Sequence, residues 1–195
     1  MSAQIWLHSD WHWKHENIYT FVDASGQRIR ARFANMTEGD AYIEQRIRDL
    51  VKEQDHIYYL GDLTMFRENH MAAEFVKLFK SLPGHKRLVP GNHDHLKPKW
   101  YVEAGFTKIR GSHLHDGLLM THFPVHPSSI GFRVVGNVHG HTHQQPDLGP
   151  KYLNVSVERT DYEPIPIEEA KKRFVEKQLT QPISLDVSGH VVTGP

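Results

Sequence analysis

Lys86-Arg87-Leu88-Val89-Pro90-Gly91-Asn92-His93-Asp94 joins a short apolar run to a Pro-Gly break and then to three consecutive side chains that carry chemistry. The run reads as the third strand of a series. Comparable runs before it are separated by helical stretches, and strands alternating with helices build a parallel sheet. Side chains just past such a strand lie at the C-terminal edge of the sheet, where open α/β sheets keep their ligands. Asn92, His93 and Asp94 offer a neutral oxygen, a titratable ring and a carboxylate able to orient it.

Working back toward the N-terminus, a helix from about Glu68 to Leu82 carries Met71, Phe75, Leu78 and Phe79 on one side and is stopped by Pro83-Gly84. Before it, His56-Ile57-Tyr58-Tyr59-Leu60 is a strand that ends at Gly61-Asp62, where glycine lets the backbone turn and present the carboxylate. Thr37 opens another helix, with Asp40 completing a near capping box and Ile43, Ile47, Leu50 and Val51 forming an apolar stripe to Gln54. Gln27–Phe33 alternates Arg28, Arg30 and Arg32 with apolar residues, which predicts a strand hairpinned at Ser25-Gly26. Its arginines suit a charged, solvated sheet edge, with phosphate contact as the second reading. Trp13–Phe21 reads as a short helix or loop, and Ile5-Trp6-Leu7-His8 as a buried first strand leading into Asp10 and His12.

Toward the C-terminus the same order recurs. Phe106–Ile109 is a strand, Gly117–Thr121 another that ends at His122, and Phe123–Pro127 a rigid loop holding His126. The Val134–His139 strand leads to Gly140-His141-Thr142-His143. If that stretch is extended, His141 and His143 point the same way with Cα atoms roughly 6–7 Å apart. Two such rings can share one metal or hold one ion each of a pair about 3.5–4 Å apart. Tyr152–Val157 is a further strand and Ile167–Gln178 a closing helix through Ala170, Phe174 and Val175. We read residues 1–180 as one domain, and 181–195 as a tail or a small hairpin at Ser188-Gly189.

Composition narrows the classes. The chain has 195 residues, with 23 Lys+Arg balanced by 23 Asp+Glu, so it lacks the positive footprint of a duplex-DNA-binding protein. No cysteine is present, which removes disulfide frameworks, thiolate catalysis and Cys-ligated zinc, while 16 histidines favour imidazole-bound metals. No signal-peptide pattern and no run of about 18 apolar residues is seen, so a cytoplasmic protein without membrane partners is expected.

Taken together, Asp10-x-His12, Gly61-Asp62, Gly91-Asn92-His93-Asp94, Thr121-His122-Phe123-Pro124 and Gly140-His141-x-His143 resemble, in order, the signatures of the calcineurin-like metallophosphoesterase superfamily. The longer family form has another aspartate three residues after Asp62, where this chain has Met65. The resemblance implies a two-sheet αββα sandwich and two divalent ions, Mn²⁺ in first place with Fe, Zn²⁺ or Ni²⁺ as alternatives. It assigns Asp10, His12 and His143 to the first ion, Asn92, His122 and His141 to the second, and Asp62 to both. The implied reaction is attack on phosphorus by a hydroxide shared between the ions, with His93 protonating the leaving alkoxide and Asp94 holding the His93 ring. A second reading makes His93 a ligand of the second ion.

His15, Asn17 and His126, which flank the ligands, are candidates for the substrate rim. The expected substrate is a small phosphodiester, of a nucleotide or an RNA end, including a 2′,3′-cyclic phosphate. The alternatives are a phosphomonoesterase, a protein phosphatase, a non-catalytic interaction module that keeps the fold, or a histidine-rich metal store. Nothing in the sequence speaks to oligomeric state.

Overall fold

Four short parallel strands, β1 (Ile5–His8), β2 (His56–Tyr59), β3 (His85–Leu88) and β4 (Phe106–Ile109), form most of one sheet. This computed structural model describes residues 2–66, 69–179, 184–185 and 191–192. A second sheet of order β5-β6-β7-β8 contains β5 (His113–His115), β6 (Leu118–Met120), β7 (Gly136–His139) and β8 (Tyr152–Asn154). Strand β9 (Ile165–Pro166) returns to the first sheet and pairs antiparallel with β1, giving the order β4-β3-β2-β1-β9. The expected α/β sandwich of two sheets is what forms. β5 has no counterpart in the sequence reading, because a three-residue strand turned by Asp116-Gly117 gives too short a pattern.

Strict alternation in β1 and β2 explains why the sheets stack. Trp6, Ile57 and Tyr59 face α1 (Met36–Leu50) and α2 (Asn69–Ser81), whose Ile43, Ile47, Phe75 and Phe79 complete one core. Leu7, Tyr58 and Leu60 face the other way and meet Leu118, Met120, Val138 and Leu153 of the second sheet. Each such side chain taken fully out of water contributes roughly 1.5–3 kcal/mol, so both faces of the first sheet are held. α3 (Pro98–Glu103) adds Tyr101 to the helix-side core, and α4 (Ile167–Leu179) sends Ile167, Ala170 and Phe174 into the inter-sheet core.

Local expectations need three corrections. α1 begins one residue before Thr37 and is capped by Asn35, whose side chain accepts from Glu38 N at 3.0 Å while Glu38 takes the Ala34 N–H at 2.7 Å. Asp40 is therefore free of capping, and is buried accepting from Trp11 Nε1 and Lys14 N. Gln27–Phe33 is not a strand: one antiparallel bridge, Val22 to Arg28, is all that remains of the hairpin, and turns follow. Nor does Arg30 sit on a solvated edge; it is fully buried, bonded to the carbonyls of Asp10 and Trp11 and paired with Glu158. An internal ion pair outweighed the local alternation. In the C-terminal segment, β10 (Ser184–Leu185) pairs antiparallel with β11 (Val191–Val192), and the turn expected at Ser188-Gly189 lies outside the described residues.

Candidate metal centre

Loops after β1, β2, β3, β6 and β7 converge at one end of the sandwich. Ligand atoms of Asp10, His12 and His143 lie within 4.8 Å of one another, and so do those of Asp62, His122 and His141. Asp62 Oδ2 stands 3.3 Å from His122 Nε2 and 3.7 Å from His12 Nε2, so one carboxylate oxygen faces both groups. Asn92 Oδ1 is 3.0 Å from His122 Nε2. The His12 and His143 rings stack at 5.1 Å.

The backbone at these ligands is unusual. Asp10, His12, Asp62, His141 and His143 have φ of 59°, 53°, 51°, 69° and 48°, in the left-handed region that costs an L-residue roughly 1–2 kcal/mol. Strain of this kind survives only where surrounding contacts over-determine it. Here Asp10 N–H donates to Gly61 O, His12 N–H to Asp62 O, and Gly140 N–H to His122 O, each at 3.0 Å. His141 N–H donates to the Asp10 carboxylate, also at 3.0 Å. The glycines before the ligands make room for other ligands. A Cβ on Gly91 would stand 2.1 Å from Asp62 Oδ1, one on Gly61 2.5 Å from His122 Nδ1, and one on Gly140 2.2 Å from Asp10 Oδ2.

Ring tautomers follow from the hydrogen bonds. His122 Nδ1 lies 2.8 Å from Leu60 O, a carbonyl that can only accept, so Nδ1 carries a proton and the opposite Nε2 is the atom turned to Asn92 Oδ1 and Asp62 Oδ2, where a cation would sit. His143 Nδ1 is 3.2 Å from Glu158 Oε1, which frees its Nε2 in the same way. Burial would lower the pKa of both rings, but Asp62 and Asp10 outweigh it at His122, and Glu158 at His143, so both are raised. His12 has no such bond and is pushed well down, first by burial and then by the neighbouring His143. Burial also opposes the Asp62 charge, yet His122, His12 and the His93 N–H hold that carboxyl down at about 2.

Two observations show that the residues fit a metal pair. Both His12 ring nitrogens are buried without a hydrogen-bond partner, a cost that a bound cation would remove. The donor set is oxygen and imidazole only, suited to borderline divalent ions.

Sequence reading missed the residues behind the ligands. Glu158, in a short 3-10 turn after β8, has a side chain only 2% exposed that joins His143 to Arg30, which it meets at 2.9 Å. Ser156 Oγ lies 3.0 Å from Asp10 Oδ2. Neither has a local signal: the Arg30–Glu158 partners stand 128 positions apart.

Of the remaining candidates, His93 and His15 are brought to the centre. Their rings lie 5.4 and 5.6 Å from that of His12, and His93 N–H donates to Asp62 Oδ1 at 2.9 Å. Asp94 does not hold the His93 ring. Its oxygens accept the backbone N–H groups of Asp62, Leu63 and Gly91 at 2.8–3.0 Å, fastening two ligand loops together, and burial pushes its pKa up to about 7. Asn17 is exposed on the 3-10 turn that follows His15. His126 turns instead to cap its own 3-10 segment, with Nδ1 at 2.8 Å from Ser128 Oγ.

No family model matches the chain. An uncharacterized protein of the archaeon Methanocaldococcus jannaschii is 28% identical over 169 residues, covering 85% of this chain and 88% of its own. A crystal structure of a protein of unknown function from Aquifex aeolicus superposes with a TM-score of 0.64 at 27% identity, over 88% of this chain and 99% of that one. The nuclease MPE of Pseudomonas putida aligns with a TM-score of 0.47 at 17% identity, over 71% of this chain and 61% of its own.

Proposed function

We propose that the chain is a metal-dependent phosphodiesterase of the calcineurin-like metallophosphoesterase type, acting on phosphodiesters of nucleotides or RNA ends. The observation that carries this reading is the single Asp62 oxygen facing both His12 and His122 between two three-residue ligand groups. Two like charges so close need an anion between them, and a shared carboxylate supplies it. Asp10, His12, His143 and Asp62 would hold one divalent ion, Asn92, His122, His141 and Asp62 the other, Mn²⁺ being our first choice. When bound, such ions supply Lewis-acid charge at the phosphoryl oxygens and a water of lowered pKa.

The chain's own residues do the rest. His93 stands beside the first group with its backbone fixed to Asp62, and its ring has no fixing hydrogen bond among the described residues. It is therefore able to deliver a proton to a departing alkoxide. Asp94 serves that step indirectly, by locking the His93 loop to the Asp62 loop.

Hydrolysis of bis-p-nitrophenyl phosphate, with and without Mn²⁺ or another divalent ion, tests the reading. Metal-dependent turnover supports it, and none under any ion assigns the chain to the non-catalytic module instead. His93→Ala should keep both metals yet lose far more rate on alkyl esters than on nitrophenyl esters, whose leaving group needs no proton. Equal losses would remove the acid role.

A further inference from the structure

Away from the ligands, a β-bulge assembles a cationic face. Between Lys86 and Arg87 the β3–β4 register shifts, so that Lys86 pairs with Phe106 but Arg87 with Lys108. Phe106 and Lys86 belong to the helix side, where Lys86 Nζ donates to Leu82 O. The extra residue flips the chain, as bulges do, and brings Lys108 onto the opposite face beside Arg87. Arg110 follows two residues on, its N–H donating to Leu88 O, next to the Leu88–Asn92 stretch that runs into the ligand loop.

The outer part of this face is open, with Lys108 and Arg110 exposed and Arg87 half-buried. The Arg87 guanidinium donates to the Tyr58 hydroxyl and lies over its ring, and Tyr58 touches His113 of the edge strand β5 with ring centroids 5.1 Å apart. His56 and His85 pair two residues before Tyr58 and Arg87, their rings 5.2 Å apart. Among the described residues none of Arg87, Lys108 and Arg110 meets a carboxylate, whereas Arg30, Arg32, Arg46, Arg48 and Lys171 all do. His113 is 8% exposed with its Nε2 lacking a partner, and His56 Nδ1 is likewise buried and unpartnered. Cations that repel one another with no anion between them are stable only at a cost, and a bound anion would repay it.

We propose that this face is a second phosphate-binding site, a track for the sugar–phosphate backbone of a single-stranded nucleic acid whose end reaches the metal-ligand loops. The proposal rests on the phosphodiester reading above. The cations do not converge on a point, as a free phosphate would need; they are spread along strands whose alternate residues lie roughly 6.6 Å apart. A formal charge of zero argues against a duplex. Two half-exposed rings flank the ligands, Phe21 at 6.1 Å from His15 and Phe123 at 4.4 Å from His141, and offer faces on which bases stack.

The test is fluorescence anisotropy with a labelled single-stranded oligonucleotide of about ten nucleotides, its linkages phosphorothioate to resist cleavage. Wild-type chain should bind with steep salt dependence. The double variant Lys108→Glu/Arg110→Glu, at exposed positions, should bind at least about tenfold more weakly and lower the log–log salt slope by about 1.4, or about 0.7 for each phosphate no longer neutralised. Its metal-dependent turnover of bis-p-nitrophenyl phosphate should not change. Absence of wild-type binding at low salt, an unaltered affinity in the double variant, or inorganic polyphosphate competing at least as tightly would each overturn the proposal. Failure of the phosphodiesterase reading would show separately, as strand binding intact without turnover of the small ester.

Discussion

The two ligand groups solve one problem by different means. In the first, the outer histidine, His143, is oriented by a buried carboxylate, Glu158, which a buried guanidinium neutralises in turn. In the second, His122 is oriented by a backbone carbonyl, and the side chain of the outer ligand His141 is held, among the described residues, by ring contacts with His122 and Phe123 rather than by a carboxylate on its outer nitrogen. Asn92, beside the second group, is exposed, although the groups themselves are buried alike, Asp10 and His12 in one and Asp62 and His122 in the other. The outer ligand of the first group is thus the better held, and the more vulnerable: its support is a side chain that one substitution removes, while a carbonyl cannot be mutated away.

Asp62→Ala should produce the largest change, because it breaks both groups at once. We expect turnover to fall by at least about two orders of magnitude and at least one ion to be lost by elemental analysis; full occupancy of both would contradict the shared carboxylate. Glu158→Gln should separate the groups. Loss of a histidine's orienting partner costs about 10–100-fold in metal affinity, and this should appear in one of two binding steps by calorimetry, the other step staying as it was.

The same substitution leaves Arg30 buried without its counter-charge, which should cost about 3 kcal/mol in denaturant unfolding. A pH dependence accompanies it. Burial opposes the Glu158 charge, but Arg30 and then His143 hold the folded carboxyl at about 2, against 4.5 in the ordinary state. Between those values the unfolded chain binds the extra proton, so this stabilisation is complete above pH 4.5 and drains away as the pH falls toward 2, by about 3 kcal/mol in all. Wild type should show that slope and Glu158→Gln should lack it. Asn92→Ala should have the smallest effect, weakening the second binding step by about tenfold and sparing the first. A loss in both steps would mean that the two groups are not independently built.

How much of this was legible in the sequence depends on the range of the interaction. Strands β1 to β4 fall within a residue of their expected bounds, because buried parallel strands are short apolar runs ending at turn residues. All seven proposed ligands follow such runs, and the structure gathers them at one end of the sandwich. What stayed hidden is long-range. Arg30 looked like one tooth of a solvated edge because its partner lies beyond β8, and nothing near Glu158 in the sequence marks it as that partner. Asp94, adjacent to His93, suggested a ring partner, but three unsatisfied backbone N–H groups made a stronger claim on it. The β4 bulge leaves no trace in a sequence of alternating character.

The three ligand-facing glycines have a mechanical consequence. Gly91 leaves the notch that Asp62 fills, Gly61 the one that His122 fills, and Gly140 the one that Ser9 and Asp10 fill. The second and third of these join opposite sheets, so each sheet carries a tooth that engages a slot in the other. The layers cannot shear past one another by even one methyl group without shifting the ligands, and the alignment of the whole sandwich is thereby keyed at its reactive end.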